Sequence, residues 1–137
     1  MRFSILVMLT FVACLRANGE ADKKNAFLKQ LQGKWELTEG IKDGEKFEPK
    51  NAFIEIKENE MIVEPDTNRK HSFLLTIESL DNPVGIDMRI GKRVGPAIVE
   101  LNKDILQIAV ALEGSKTRPK KFEGGKDILF IKLKRAN

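Results

Sequence analysis

The chain has 137 residues, 42% of them hydrophobic, with 24 basic and 20 acidic side chains and a formal net charge of +4. A single cysteine leaves no partner for a disulfide, a single histidine leaves metal binding mostly to carboxylates, and the near balance of charge excludes the strong basic excess of a dedicated nucleic-acid binder. This length holds one domain around one core but not comfortably two.

Arg2 precedes the apolar run Ile5 to Ala13, which is too short for a spanning helix of about 20 residues, so no transmembrane helix is expected. Residues 1–19 read as an export signal, with small residues Ala17 and Gly19 at the cleavage site, and residues 20–137 as one domain that is secreted or periplasmic. Phe11-Val12-Ala13-Cys14 also loosely resembles a bacterial lipobox; on that alternative Cys14 is lipidated and the protein is anchored to the membrane. Without Arg2 and Arg16 the domain carries 22 basic and 20 acidic side chains, and without Cys14 its stability rests on packing.

From Asp22 to Gln32 the apolar residues Ala26, Phe27, Leu28 and Leu31 fall at helical spacing, with Asp22 placed to cap the first turn and Gly33 to end the last. Beyond it the period changes to two. Trp35 and Leu37 share one face of a first strand, which Lys42-Asp43-Gly44-Glu45 turns toward a short strand at Phe47. Ala52, Ile54 and Ile56 alternate with Phe53, Glu55 and Lys57, and Glu58-Asn59-Glu60 turns this strand into Met61-Ile62-Val63. Pro65 to Lys70 is polar and turn-like before Phe73, Leu75 and Ile77. Asp81-Asn82-Pro83 breaks the pattern before Ile86, Met88 and Ile90, and Gly91 to Pro96 reads as a loop. Ala97, Val99 and Leu101 pair through Asn102-Lys103-Asp104 with Leu106, Ile108 and Val110. A long polar connection, Glu113 to Gly125, leads to a last strand with Leu129, Ile131 and Leu133 on one face. About eight short strands joined by tight turns predict an all-β, antiparallel sandwich or barrel, and the short helix, suited to covering an open end, favours the barrel.

Gly33-Lys34-Trp35 after a short helix resembles the lipocalin entry pattern of glycine, any residue, tryptophan. The run LQGKWELTEGIKDGEKF, from Leu31 to Phe47, with VGPAIVELNKDILQIAVALEGSKTRPKKFEGGKDILFIKLKR, from Val94 to Arg135, resembles an uncharacterised lipocalin-like domain family abundant in planctomycetes. The resemblance rests on Trp35, the Ala97 to Val110 hairpin, Arg118-Pro119 with Phe122, and Ile128 to Arg135; it departs at Ala97-Ile98-Val99, where the family has glycine, isoleucine and tyrosine. It implies a calycin-type barrel and export, and it brings no reaction or ligand with it.

The residues offer little catalytic chemistry. His71 reads as an exposed strand-end residue rather than a base, and no metal or cofactor is expected. Asp66, Asp81, Asp87 and Glu100 qualify as a glycosidase pair only if they converge, and alternation makes Asp87 and Glu100 outward strand residues. Strict alternation puts Glu39 on the face of Trp35 and Leu37, where an inward carboxylate needs a partner or a wet cavity; alternatively Gly40 marks a bend by which the strand has left the barrel. Trp35 either plugs one end of the barrel beneath Arg135 or Lys134, or serves as a platform for a ligand to stack on. Arg118 suits an anionic ligand and a bridging hydrogen-bond role equally, while Lys116, Arg118, Lys120 and Lys121 read as a solvated charged surface.

The sequence therefore predicts a noncatalytic, monomeric barrel binding a small, largely apolar molecule or peptide. Its candidate lining residues are Leu37, Glu39, Ile54, Ile56, Phe73, Leu75, Ile77, Met88, Val99, Leu106, Ile108, Arg118, Leu129 and Ile131, and Gly33, Trp35 and Arg135 are structural. The alternative is a barrel filled by its own side chains that acts as an envelope interaction module.

Overall fold

A computed structural model describes residues 19–64, 70–112 and 115–136. Of the expected export signal at residues 1–19 all but Gly19, together with the lipidation alternative at Cys14 and the candidate carboxylate Asp66, lies outside the described residues. Helix α1, residues 19–30, starts earlier and ends sooner than the spacing predicts. Glu20 and Ala21 continue it N-terminally, so Asp22 sits within the helix and does not cap it. The helix belongs to one compact unit of the chain, and Leu31–Asn137 forms another.

The second unit is a closed antiparallel β-barrel. Its strands are β1 (Gly33–Lys42), β2 (Glu45–Phe47), β3 (Phe53–Lys57), β4 (Glu60–Glu64), β5 (His71–Ser79), β6 (Val84–Ile90), β7 (Arg93–Asn102), β8 (Ile105–Ala111) and β9 (Ile128–Arg135). The sheet order is β2-β1-β3-β4-β5-β6-β7-β8-β9, and β1 also pairs with β9. Eight strands thus close into an up-and-down, lipocalin-like ring without a free edge, while β2 lies alongside the far half of β1. The Asp43-Gly44 turn of the β1–β2 hairpin has φ values of 51° and 80°, the left-handed pair that a two-residue hairpin turn demands.

Alternation along the strands decides which side chains enter the barrel, and one irregularity in β1 changes it. Leu37 pairs with Leu133 and Glu39 with Lys132, so Thr38 is an extra, bulged residue; its hydroxyl donates to the Lys132 carbonyl at 3.0 Å. A bulge reverses which face the following residues occupy. Glu39 therefore faces outward, 3.2 Å from Lys46 Nζ, and the expectation of an inward Glu39 is corrected. Gly40 takes the inward position opposite Ile131 and marks no departure from the barrel, because β1 continues to Lys42. A Cβ at Gly40 would lie 2.2 Å from the Phe47 ring, so the glycine is what lets Phe47 fold across β1.

A second correction concerns Gly91 to Pro96, which is largely strand. Only Gly91 and Lys92 turn the chain, and β7 starts at Arg93. Pro96 is tolerated because β7 pairs with β8 only from Ala97 onward, so no partner on that side needs its missing N–H.

One half of the barrel is solid. Trp35, Leu106 and Leu133 are fully buried there, with Leu31, Ile56, Ile86 and Val99 nearly so. Outside the wall, Ile98, Ala109 and Phe130 form a second, small apolar cluster against which Ile41, Phe122 and Ile128 pack. The connection before β9 approaches β1 closely: a Cβ on Gly124 would stand 2.3 Å from Ile41 Cγ2 and 3.0 Å from the Ile41 carbonyl oxygen. Because backbone must then move, Gly124→Ala is expected to cost about 1–3 kcal/mol, read as a lower urea midpoint; an unchanged midpoint would show that this connection yields freely.

Candidate functional site: an apolar cavity at one end of the barrel

The other half of the barrel is hollow. A cavity of about 510 Å³ is lined by Leu37 of β1, Ile54 of β3, Met61 and Val63 of β4, Phe73 of β5, Met88 and Ile90 of β6, Ile108 and Val110 of β8, and Leu129 and Ile131 of β9. Its mouth runs past Phe47 and Pro49, His71, Arg93 and Val94, and Ala111 and Leu112. The volume falls within the usual range for small-molecule pockets. Its walls are almost wholly hydrocarbon; among the described residues, His71 and Arg93 are the titratable side chains that line it.

The floor explains why the cavity reaches only part-way. Trp35 donates its indole N–H to the Leu31 carbonyl at 2.9 Å, and the Arg135 guanidinium lies 4.2 Å from the ring centroid. Arg135 donates in turn to the Gln32 carbonyl at 2.8 Å. Gly33 makes this approach feasible, with φ of 121° and its missing Cβ only 3.3 Å from the guanidinium. Trp35, Gly33 and Arg135 thus belong to the plug, and Trp35 does not line the cavity.

Of the predicted lining, the structure brings Leu37, Ile54, Phe73, Met88, Ile108, Leu129 and Ile131 to the cavity. Ile56, Leu75, Ile77, Val99 and Leu106 also sit in the barrel core, buried at 0–9% exposure, but they pack outside the lining. They share the inward face with the lining residues and differ in height, which alternation does not report. Glu39 and Arg118 are both outside the barrel wall.

Arg118 makes the bridging contacts, not a contact with the cavity. It donates to the Ile86 and Ala97 carbonyls at 2.8 Å each and to Asp87 Oδ1 at 2.7 Å, lying over Gly85 on the outer surface. Asp87 is outward, as alternation requires, and Arg118 is drawn from the surface lysines toward it. Arg118→Ala is expected to cost about 2 kcal/mol, the worth of hydrogen bonds to a charged group, with no change in ligand affinity; thermal unfolding and a binding titration read the two separately. Glu100 and Asp81 are exposed, and no group of three or more His, Cys, Asp or Glu side chains suited to a metal occurs among the described residues.

The lining also includes residues that the sequence reading left out. Met61, Val63, Ile90 and Val110 were open to the same alternation argument as their neighbours. Arg93 and Gly95 were hidden by reading their segment as a loop, and Phe47 gave no periodic signal in a strand of three residues. His71 is exposed at the start of β5, as expected, and also stands at the mouth.

Comparison with protein-family models, with curated proteins and with solved structures gave no match. Among the described residues no helix is long and apolar enough to cross a membrane.

Proposed function

We propose that this protein is an exported, noncatalytic binding protein that holds a small, largely apolar molecule, or an apolar segment of a peptide, in the open half of its barrel. The observation that carries this reading is the 510 Å³ hydrocarbon-walled cavity set above a filled, plugged floor. A barrel with no ligand to hold gains by filling itself, since each empty volume forfeits packing energy. The lower half of this barrel is filled in that way, which favours a carrier over an interaction module with a solid interior. The likeness of Leu31 to Phe47 and Val94 to Arg135 to the planctomycete lipocalin-like domains agrees with membership in that family and with soluble export.

Native mass spectrometry of protein purified from its own host is expected to reveal an adduct of a few hundred daltons that organic extraction removes. Titration of the extracted protein with N-phenyl-1-naphthylamine, a neutral apolar fluorophore, is expected to give saturable binding. An absent adduct together with no saturable binding would sink the carrier reading and leave the interaction module. The intact mass of the mature N-terminus decides between a free Glu20 and an acylated Cys14.

A further inference from the structure

The cavity has one chemically distinct side. His71 is the first residue of β5 and Arg93 the first of β7, the two strands that flank β6. His71 pairs with the lining residue Val63 and Arg93 with the lining residue Ile90. Residues paired across antiparallel strands share a face, so both stand on inward-facing positions at the level of the mouth. Neither side chain has a hydrogen-bond or ion-pair partner among the described residues, and no carboxylate is among the described lining residues. Lys92, in the turn just before Arg93, adds positive charge next to it, whereas the acids Asp43 and Glu45 belong to the β1–β2 hairpin, whose strands pair with none of β5, β6 and β7.

We infer that the ligand is an amphiphile with one anionic head, its apolar tail in the cavity and its head at the mouth against Arg93 and His71. The inference rests on the carrier reading and specifies its ligand class. A tail alone gains from the hydrocarbon walls whatever its head group. A guanidinium beside the opening, without an ion-pair partner among the described residues, separates an anion from a neutral or cationic head, because it offers two parallel N–H donors to a carboxylate, sulfate or phosphate. Its exposure moderates the effect, since ion pairs in contact with water are partly screened.

The test is displacement of N-phenyl-1-naphthylamine by four ligands with the same twelve-carbon tail: dodecanoate, dodecyl sulfate, dodecanol and dodecyltrimethylammonium, each below its micelle concentration. Dodecanoate and dodecyl sulfate are expected to bind about fivefold tighter than dodecanol, and the cation weaker than dodecanol, as suits a charged hydrogen bond at a partly wet rim. Arg93→Gln is expected to bring the ratio of anion to dodecanol affinity down to near one, and Arg93→Lys to restore part of that ratio. A preference for carboxylate over sulfate, or the reverse, identifies the kind of head. If dodecanol binds as tightly as the anions, or Arg93→Gln leaves the preference intact, this inference is overturned while the carrier reading stands. If none of the four ligands displaces a bound fluorophore, this inference is likewise overturned while the carrier reading stands; if the fluorophore does not bind and the native protein carries no adduct, both fail.

Discussion

Trp35→Ala is expected to lower the unfolding free energy by about 3–5 kcal/mol, the usual cost of deleting a buried tryptophan. The reasons are local. The ring is fully buried, its N–H is bonded to the Leu31 carbonyl, and one of its faces carries the Arg135 guanidinium. Its strand pairs with Ile54 on one side and with Arg135 on the other, so the cavity left by alanine opens where β1 joins the two ends of the sheet into a ring. Trp35→Phe keeps most of the apolar area and loses the indole hydrogen bond, with an expected cost of about 1–2 kcal/mol. Urea unfolding followed by circular dichroism measures both, since the substitutions remove the fluorescent reporter. A loss below about 1 kcal/mol for the alanine variant would contradict the plug. So would a large change in the affinity of Trp35→Phe for an apolar ligand, which would instead return the ring to the role of a stacking platform.

Leu129→Trp is the complementary experiment, expected to weaken binding far more than stability. Leu129 lies on β9 opposite Val110, is only half-buried, and points into empty volume, so an indole there has room without displacing packed neighbours. Every methylene of ligand that the ring excludes forfeits about 0.8 kcal/mol, so exclusion of two weakens affinity more than about tenfold. The unfolding midpoint is expected to hold or rise, because filling a void restores contacts. Val63→Trp adds a ring from a separate wall of the same cavity, and the double variant is expected to abolish saturable fluorophore binding. Retained affinity in the folded double variant would place the binding site elsewhere on the molecule. Leu74→Ser, at an outward and exposed position on the neighbouring strand, serves as the control and is expected to leave affinity unchanged.

Much of the barrel was legible because its strands are regular. Ile54 and Ile56, Phe73 and Leu75, Leu106 and Ile108, and Leu129 and Ile131 keep strict alternation, and a period of two suffices to assign them to one face. The failures came where local geometry departs from that period. A single bulge at Thr38 sent Glu39 outward. A proline on a stretch that β8 leaves unpaired made Arg93 to Pro96 resemble a loop and concealed Arg93, a charged side chain in the cavity lining. Arg118 kept two roles open because the distance between a loop residue and the carbonyls of Ile86 and Ala97 has no expression in spacing along the chain.

The sequence by itself determined the all-β class, the short preceding helix, the order of the hairpins and the inward side chains of the regular strands, since each follows from periodicity and turn chemistry within a few residues. Only the tertiary structure decided that β1 meets β9 and closes the ring, and that the inward set is packed solid around Trp35 and hollow above Ile108. It also decided that His71 and Arg93 share the mouth. The physical reason is that a side chain's face is a local property, whereas its height in the barrel depends on how all eight strands are staggered against one another.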